Sequence, residues 1–176
     1  HIPVNWALKG TLIAHLHEHN SAVTRMTSLK PFSNFFASIS TDGTVRLWDC
    51  NRLDGNASIN RSRQMYSANT PLYAVAACEN GQSLAVGGRD GALLLLKLDP
   101  TSSKMALQQA KHLDMEGEYG PVVDMSPLDQ GAQNTIVYST LYGYIVGWDV
   151  RMPDIAWQFE NDLHKGVITT MCIDLS

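Results

Sequence analysis

Ala37-Ser38-Ile39-Ser40-Thr41-Asp42-Gly43-Thr44-Val45-Arg46-Leu47-Trp48-Asp49 is the stretch that decides how this chain folds. Two short runs rich in β-branched and aromatic residues flank an Asp-Gly pair, which supplies the positive backbone dihedrals of a two-residue hairpin turn. The arrangement recurs. Gly43 of Thr41-Asp42-Gly43-Thr44 is followed 48 residues later by Gly91 of Arg89-Asp90-Gly91-Ala92, and 52 residues after that by Gly143 of Leu141-Tyr142-Gly143-Tyr144. An apolar run precedes each turn (residues 35–40, 83–88 and 134–140) and another follows it (45–49, 93–96 and 145–149). A third lies upstream, at 22–26, 72–77 and 122–125, and residues 167–173 open a fourth unit that is not completed.

Runs of this length, bounded by Gly, Asp, Asn, Ser or Pro, read as short antiparallel strands joined by tight turns. A period near 50 with about four strands per unit indicates β-propeller blades. The fold class is therefore all-β, with units at 10–66, 67–113 and 114–160 and an incomplete one at 161–176. Propellers have about four to eight blades, so this chain reads as one part, about half, of a seven-bladed ring. Its first and last strands would be unpaired edges, prone to aggregate or swap. Connectors at 50–64 and 99–119 read as surface insertions, and only residues 105–113 carry a helical pattern.

Composition narrows the function. The 176 residues are 44% hydrophobic and 17% charged, too apolar for a disordered chain. No run approaches the roughly 20 apolar residues that span a bilayer. The net charge of −4 argues against non-specific nucleic-acid binding, which needs a clustered basic face. Residues 1–66 carry 7 basic and 4 acidic side chains (+3), whereas 67–176 carry 6 and 13 (−7). That bipolar balance suits protein partners better than phosphate backbones. Cys50, Cys78 and Cys172 form neither a Cys-x-x-Cys pair nor a disulfide framework, which points to a reducing compartment. Asn56-Ala57-Ser58 and Asn60-Arg61-Ser62 match the glycosylation acceptor pattern, but nothing else in the sequence looks secreted. The start at His1 and the stop inside an apolar run read as a piece of a longer protein.

The first unit carries the family resemblance. Gly10-Thr11-Leu12, then His19-Asn20-Ser21-Ala22-Val23, then residues 37–49 resemble a WD repeat almost throughout. The resemblance implies a hydrogen-bonded tetrad of His19, Ser38, Asp42 and Trp48. Gly43, Asp90, Gly91 and Gly143 are the turn residues. The later units depart from the pattern: Val86 stands for the serine and Leu96-Lys97 for Trp-Asp in the second, and Tyr142 for the aspartate in the third. His164-Lys165-Gly166-Val167-Ile168 resembles the histidine segment again.

Other constellations read as structural. His15, His17 and His19 alternate like a metal comb, yet no cysteine or carboxylate completes a tetrahedral set. Gly87-Gly88-Arg89-Asp90-Gly91 lacks the helix and the Lys-Ser/Thr pair of a phosphate loop. Asp42, Asp49, Asp90 and Asp149 occupy turn or strand-end slots of the repeat, and no nucleophile–base pair or kinase signature is present. The segment reads as non-enzymatic, with no cofactor and no metal. Asp114, Glu116 and Glu118 make an acidic loop, and Arg52, Arg61 and Arg63 a basic one. Trp148-Asp149-Val150-Arg151 fits the Trp-Asp-x-Arg pattern of substrate receptors of cullin-type ubiquitin ligases, which makes Arg151 a candidate partner contact and that role the alternative function.

Three segments are more distinctive: 15–23, then 131–133 with 143–151, and 157–169. Together they resemble the C-terminal WD-repeat domains of regulatory scaffold subunits of class III, vacuolar-sorting phosphatidylinositol 3-kinase complexes. That resemblance implies a longer parent with a serine/threonine protein-kinase-like domain, using ATP, and a helical solenoid, both outside this segment. It implies partners in the catalytic lipid kinase and a Beclin-type coiled-coil subunit. A cytoplasmic protein peripheral on endosomal and autophagic membranes, serving autophagy and endosomal sorting, follows from the same resemblance.

Overall fold

The computed structural model describes residues 10–55, 60–112, 119–128, 131, 133–160 and 167–173, the Ser33 side chain excepted. Within them, three four-stranded antiparallel sheets follow one another, each a meander in chain order. The first holds β1 (Val23–Leu29), β2 (Phe32–Ser40), β3 (Thr44–Asp49) and β4 (Gln64–Ser67). The second holds β5 (Leu72–Cys78), β6 (Ser83–Gly88), β7 (Ala92–Lys97) and β8 (Ala106–His112). The third holds β9 (Val122–Pro127), β10 (Thr135–Thr140), β11 (Tyr144–Asp149) and β12 (Trp157–Glu160). No helix among the described residues is long and apolar enough to cross a membrane.

The sheets stack as blades. The two faces of the middle one explain its sequence. Side chains alternate across a strand, so Leu94 and Leu96 join Val75, Leu84 and Val86 against Ile39, Val45 and Leu47 of the first blade. Leu93 and Leu95 turn the other way, with Ala74 and Ala85, onto Ile136, Tyr138, Val146 and Trp148 of the third. The apolar run at β7 is thus a strand buried on both faces. Each fully buried leucine contributes about 1.5–3 kcal/mol of transfer free energy. Val86 and Leu96, which replace the repeat's serine and tryptophan, are fully buried at these interfaces.

The three glycine turns share one geometry, and it corrects the two-residue hairpin. Gly43 N–H donates to Ser40 C=O at 3.1 Å, Gly91 to Gly88 at 3.3 Å and Gly143 to Thr140 at 3.2 Å. Only the glycines take the left-handed region, at φ +81°, +78° and +101°. The preceding Asp42, Asp90 and Tyr142 do not. Each is therefore a longer loop, a four-residue turn closed by a left-handed glycine. Tyr142 is tolerated in the third turn because its own backbone needs nothing unusual. Asp90 Oδ1 accepts the N–H of Ala92 at 3.1 Å; in the third turn the hydroxyl of Thr140 accepts that of Tyr144 at 3.3 Å instead.

Three further expectations are corrected. Residues 106–112 form β8, paired with β7 from Ala92↔His112 to Lys97↔Ala106, so the ladder overrides the helix propensity of Ala, Gln and Lys. The connector at 50–64 is not a free insertion: it begins with a 3-10 turn, Cys50–Arg52, and ends with Asn60 and Gln64 buried at 4% and 2% exposure. Residues 167–173 form no strand. Thr170 Oγ1 and Met171 N–H instead donate to Asp124 Oδ2, at 2.7 and 2.9 Å.

Candidate functional site

His19 precedes β1, Ser38 lies in β2, Asp42 in the following turn and Trp48 in β3, and the first blade brings them together. Trp48, 1% exposed, donates its indole N–H to Ser38 Oγ at 2.8 Å. Ser38 Oγ stands 2.7 Å from His19 Nε2. His19 and Asp42 are 3.7 Å apart, beyond hydrogen-bonding distance. Thr44 joins them, with Oγ1 2.8 Å from His19 Nδ1 and donating to Asp42 Oδ1 at 2.6 Å. The tetrad is a chain of five. Each hydroxyl has one proton, so full satisfaction runs one way: Trp48 to Ser38, Ser38 to Nε2, Nδ1–H to Thr44, Thr44 to the carboxylate. That direction assigns a neutral His19 protonated at Nδ1. The clue to Thr44 lay in the turn itself, a hydroxyl two residues past the aspartate that caps its N–H at 2.8 Å.

Electrostatics agrees with this direction. Burial holds His19 below its ordinary value, outweighing the raising effect of Asp42. Burial alone would raise Asp42. The Thr44 hydroxyl, the N–H groups of Asn20 and Thr44, and His19 outweigh it and bring Asp42 down to about 2. A depressed histidine contributes stability that is lost as pH falls below 6.5, its ordinary value. A depressed carboxylate contributes stability present above 3.8 and lost as pH falls through about 2. Hydrogen exchange of β2 and β3 should therefore quicken in two stages on acidification, one starting below about pH 6.5 and one between about pH 4 and 2. Asp42→Asn should remove the second stage.

Asp42 also ties the segment before β1 to the turn, since Oδ2 accepts the N–H of Asn20 at 2.6 Å. Asp42→Ala strands Thr44 and that N–H, and should lower the opening free energy of the first blade by about 1–3 kcal/mol. Hydrogen exchange on the full-length protein checks it. A change under about 0.5 kcal/mol, the range of ordinary surface substitutions, would remove Asp42 from the network.

The third blade keeps the positions and changes the chemistry. Tyr138 stands where Ser38 does, diagonal to Trp148 across β10 and β11, and its phenol makes no hydrogen bond to the indole. Trp148 Nε1 and Tyr138 OH are both buried without a partner, and burial pushes the Tyr138 phenol well up. Tyr144, at the place of Thr44, and Tyr119, ahead of β9, hold each other by ring contact, with centroids 4.3 Å apart. Lys111 Nζ lies 4.9 Å over the Trp148 ring. An aromatic cluster thus replaces the polar chain.

The remaining sequence candidates fall into structural places. His15 Nδ1 and His17 Nε2 are 3.0 Å apart, while His19 faces the network. No metal-holding group of three or more His, Cys, Asp or Glu occurs among the described residues. Gly87 and Gly88 lie inside β6, followed by a turn and a strand. Arg52, Arg61 and Arg63 line one recess with Asp49 and Asp54. Arg61 reaches Glu18 at 3.6 Å and Arg63 reaches Asp49 at 3.8 Å. The Asn60 amide donates to the carbonyls of His15 and Asp54, so a glycan on that nitrogen would remove one of the two donors. Arg151 folds back on Asp149, Nε to Oδ1 at 2.9 Å and Nη2 to Oδ2 at 2.5 Å. Asp114, Glu116, Glu118, His164 and the sequon at Asn56 lie outside the described residues.

The repeat model "WD domain, G-beta repeat" matches residues 10–49, the stretch that contains the whole five-membered chain. Residues 10–49 are similar to a WD repeat, and the three sheets are part of a β-propeller. Its blades superpose on the crystal structure of the RRP9 WD40 repeats with a TM-score of 0.66 at 13% identity, over 86% of this chain and 42% of that one. In sequence the chain is similar to the probable serine/threonine-protein kinase vps15 of Dictyostelium discoideum, 29% identical over 96% of this chain. It is also similar to the serine/threonine-protein kinase VPS15 of Arabidopsis thaliana, 28% identical over 94%. It spans 9% and 12% of their lengths.

Proposed function

We propose that this WD-repeat segment is a non-catalytic scaffold element in the regulatory subunit of a class III phosphatidylinositol 3-kinase complex, serving autophagy and endosomal or vacuolar sorting. The observation that carries the reading is the similarity to the VPS15 kinases, which runs along nearly the whole chain and not only along its one regular repeat. In this reading the blades hold loops against the catalytic lipid kinase and a Beclin-type coiled-coil subunit. The segment takes no cofactor, and ATP belongs to a kinase-like domain elsewhere in the longer protein. The protein is cytoplasmic and attaches to endosomal and autophagic membranes peripherally, through the complex. The two interfaces on the middle blade support a rigid platform, since packed interiors resist deformation.

The test is to tag the full-length protein, purify it gently from its own cells and assay the eluate for phosphatidylinositol 3-phosphate synthesis. Activity that survives washing is the expected result. No lipid kinase activity, with cullin adaptors in the eluate instead, would overturn the scaffold reading and make Arg151 the anchor of a ligase receptor.

A further inference from the structure

Glu18, in the segment that leads into β1, is held by β3 and by the connector before β4. Arg46 of β3 donates from Nη1 to Glu18 Oε2 at 2.9 Å and to Ser62 Oγ at 3.0 Å. The Ser62 N–H donates to the same Oε2 at 2.7 Å. Both charged side chains are largely withdrawn from water, Arg46 at 12% and Glu18 at 14% exposure. Burial alone would raise Glu18. Ser62 and the charges of Arg46 and Arg61 outweigh it and hold the carboxyl below its ordinary value. The next residue, His19, already belongs to the polar chain of the first blade. Glu18 is thus a latch on the leading segment.

Ser62 is the side of this latch that meets solvent. It is half-buried and lines, with Arg52, Arg61 and Arg63, an open recess of about 240 Å3, ample for a group of one phosphorus and three oxygens. Asp49 and Asp54 line it as well. Asp49 accepts the N–H of Asn51 at 3.1 Å and stands 3.8 Å from Arg63. Arg52 and Arg61 are exposed, and Arg61 is 3.6 Å from Glu18 Oε1, too far for a hydrogen bond. Counting Arg46, four arginines border the serine or the recess on which it opens. The cluster can therefore take more negative charge than Glu18 brings.

We propose that Ser62 is a phosphorylation site and that its phosphate releases the Glu18 latch. A serine/threonine kinase that selects flanking arginines, here Arg61 and Arg63, transfers the γ-phosphoryl group of ATP to Ser62 Oγ. The new O–P bond forms as the bond to the departing ADP breaks, and the hydroxyl proton passes to the kinase's base. Phosphoserine carries about −1.5 to −2 charges and three strong acceptor oxygens. Arg46 and Arg61 turn to it, because the guanidinium fork matches phosphate as well as carboxylate. Glu18, bonded to the N–H of the same residue, then meets a like charge at close range. It leaves, and the leading segment loosens at Glu18 while Asn20 stays tied to Asp42. The inference goes beyond the scaffold reading and holds whichever complex the protein enters.

The test begins with the full-length protein, purified from its own cells with phosphatase inhibitors and mapped by mass spectrometry across Ser62. Phosphate on Ser62 that a phosphatase removes is the expected result. Hydrogen exchange then compares the unmodified full-length protein with one carrying phosphoserine at position 62, installed by codon suppression. Residues 16–19 should exchange about tenfold faster with the phosphate. Glu18→Gln should speed them similarly without it, and phosphoserine added to that variant should change little further. Ser62→Ala, which keeps the N–H bond to Glu18, should speed them less. Exchange of β6 and β7 checks the fold of each variant, and Glu18→Asp replaces Glu18→Gln if they open. Absence of phosphate on Ser62 in both growing and starved cells overturns the site. Phosphoserine that leaves residues 16–19 unchanged overturns the latch, as does a full further increase in the Glu18→Gln variant. Failure here while phosphatidylinositol 3-phosphate synthesis still co-purifies removes the switch and leaves the scaffold standing. A phosphate-released latch without that synthesis does the reverse.

Discussion

Trp48→Ala lowers the opening free energy of the first blade by about 3–5 kcal/mol, the usual cost of removing a buried tryptophan. Hydrogen exchange across β2 and β3 in the full-length protein reads the change directly, without assuming that a large protein unfolds in one step. Two losses combine. The ring is 1% exposed and stacks beside Phe36 at 6.2 Å, so truncation leaves a cavity. The indole N–H also anchors one end of the chain through Ser38 and His19. Phenylalanine separates the two. Trp48→Phe removes a used donor, whereas Trp148→Phe removes one that is buried without a partner. The first should cost more than the second, by about 1 kcal/mol or more. Equal costs would mean that the polar chain contributes nothing.

Gly87→Val opens the interface between the second and third blades at about 3 kcal/mol, the upper end for overpacking. A Cβ at Gly87 would sit 2.4 Å from Val122 Cγ1 and 2.7 Å from Val122 Cβ. Val122 is 1% exposed, and its Cβ cannot swing aside as the tip of a long side chain could. The expected signature is faster exchange in β9 as well as β6, with β2 unaffected. Wild-type protection in β9 would show that the blades separate there at no cost.

The sequence made the central hairpins legible because two constraints coincide in them. A left-handed glycine fixes the turn, and the strands on either side are buried enough to be mostly apolar. The outer strands lack both. Ala106–His112 and Trp157–Glu160 pair with a single strand each, Gln64–Ser67 adds to its one strand partner just the isolated Met65↔Lys104 bridge, and most of the residues in β8 are exposed, so burial leaves little periodic trace. This is why residues 105–113 read as a helix. The polar chain was legible as four residues through its resemblance to a repeat. Thr44 escaped because a threonine after a turn has many ordinary reasons to be there.

The alternation of leucines along β7 has a consequence for how this chain can change length. Leu93 and Leu95 serve one interface, Leu94 and Leu96 the other. One inserted or deleted residue in the strand would exchange the two sets and mispack both neighbouring blades at once. Gains and losses of residues can therefore be absorbed only between strands. A scan of single-residue deletions through 92–97 should abolish protection in all three blades, while the same scan through 99–103 should leave the distant ones intact.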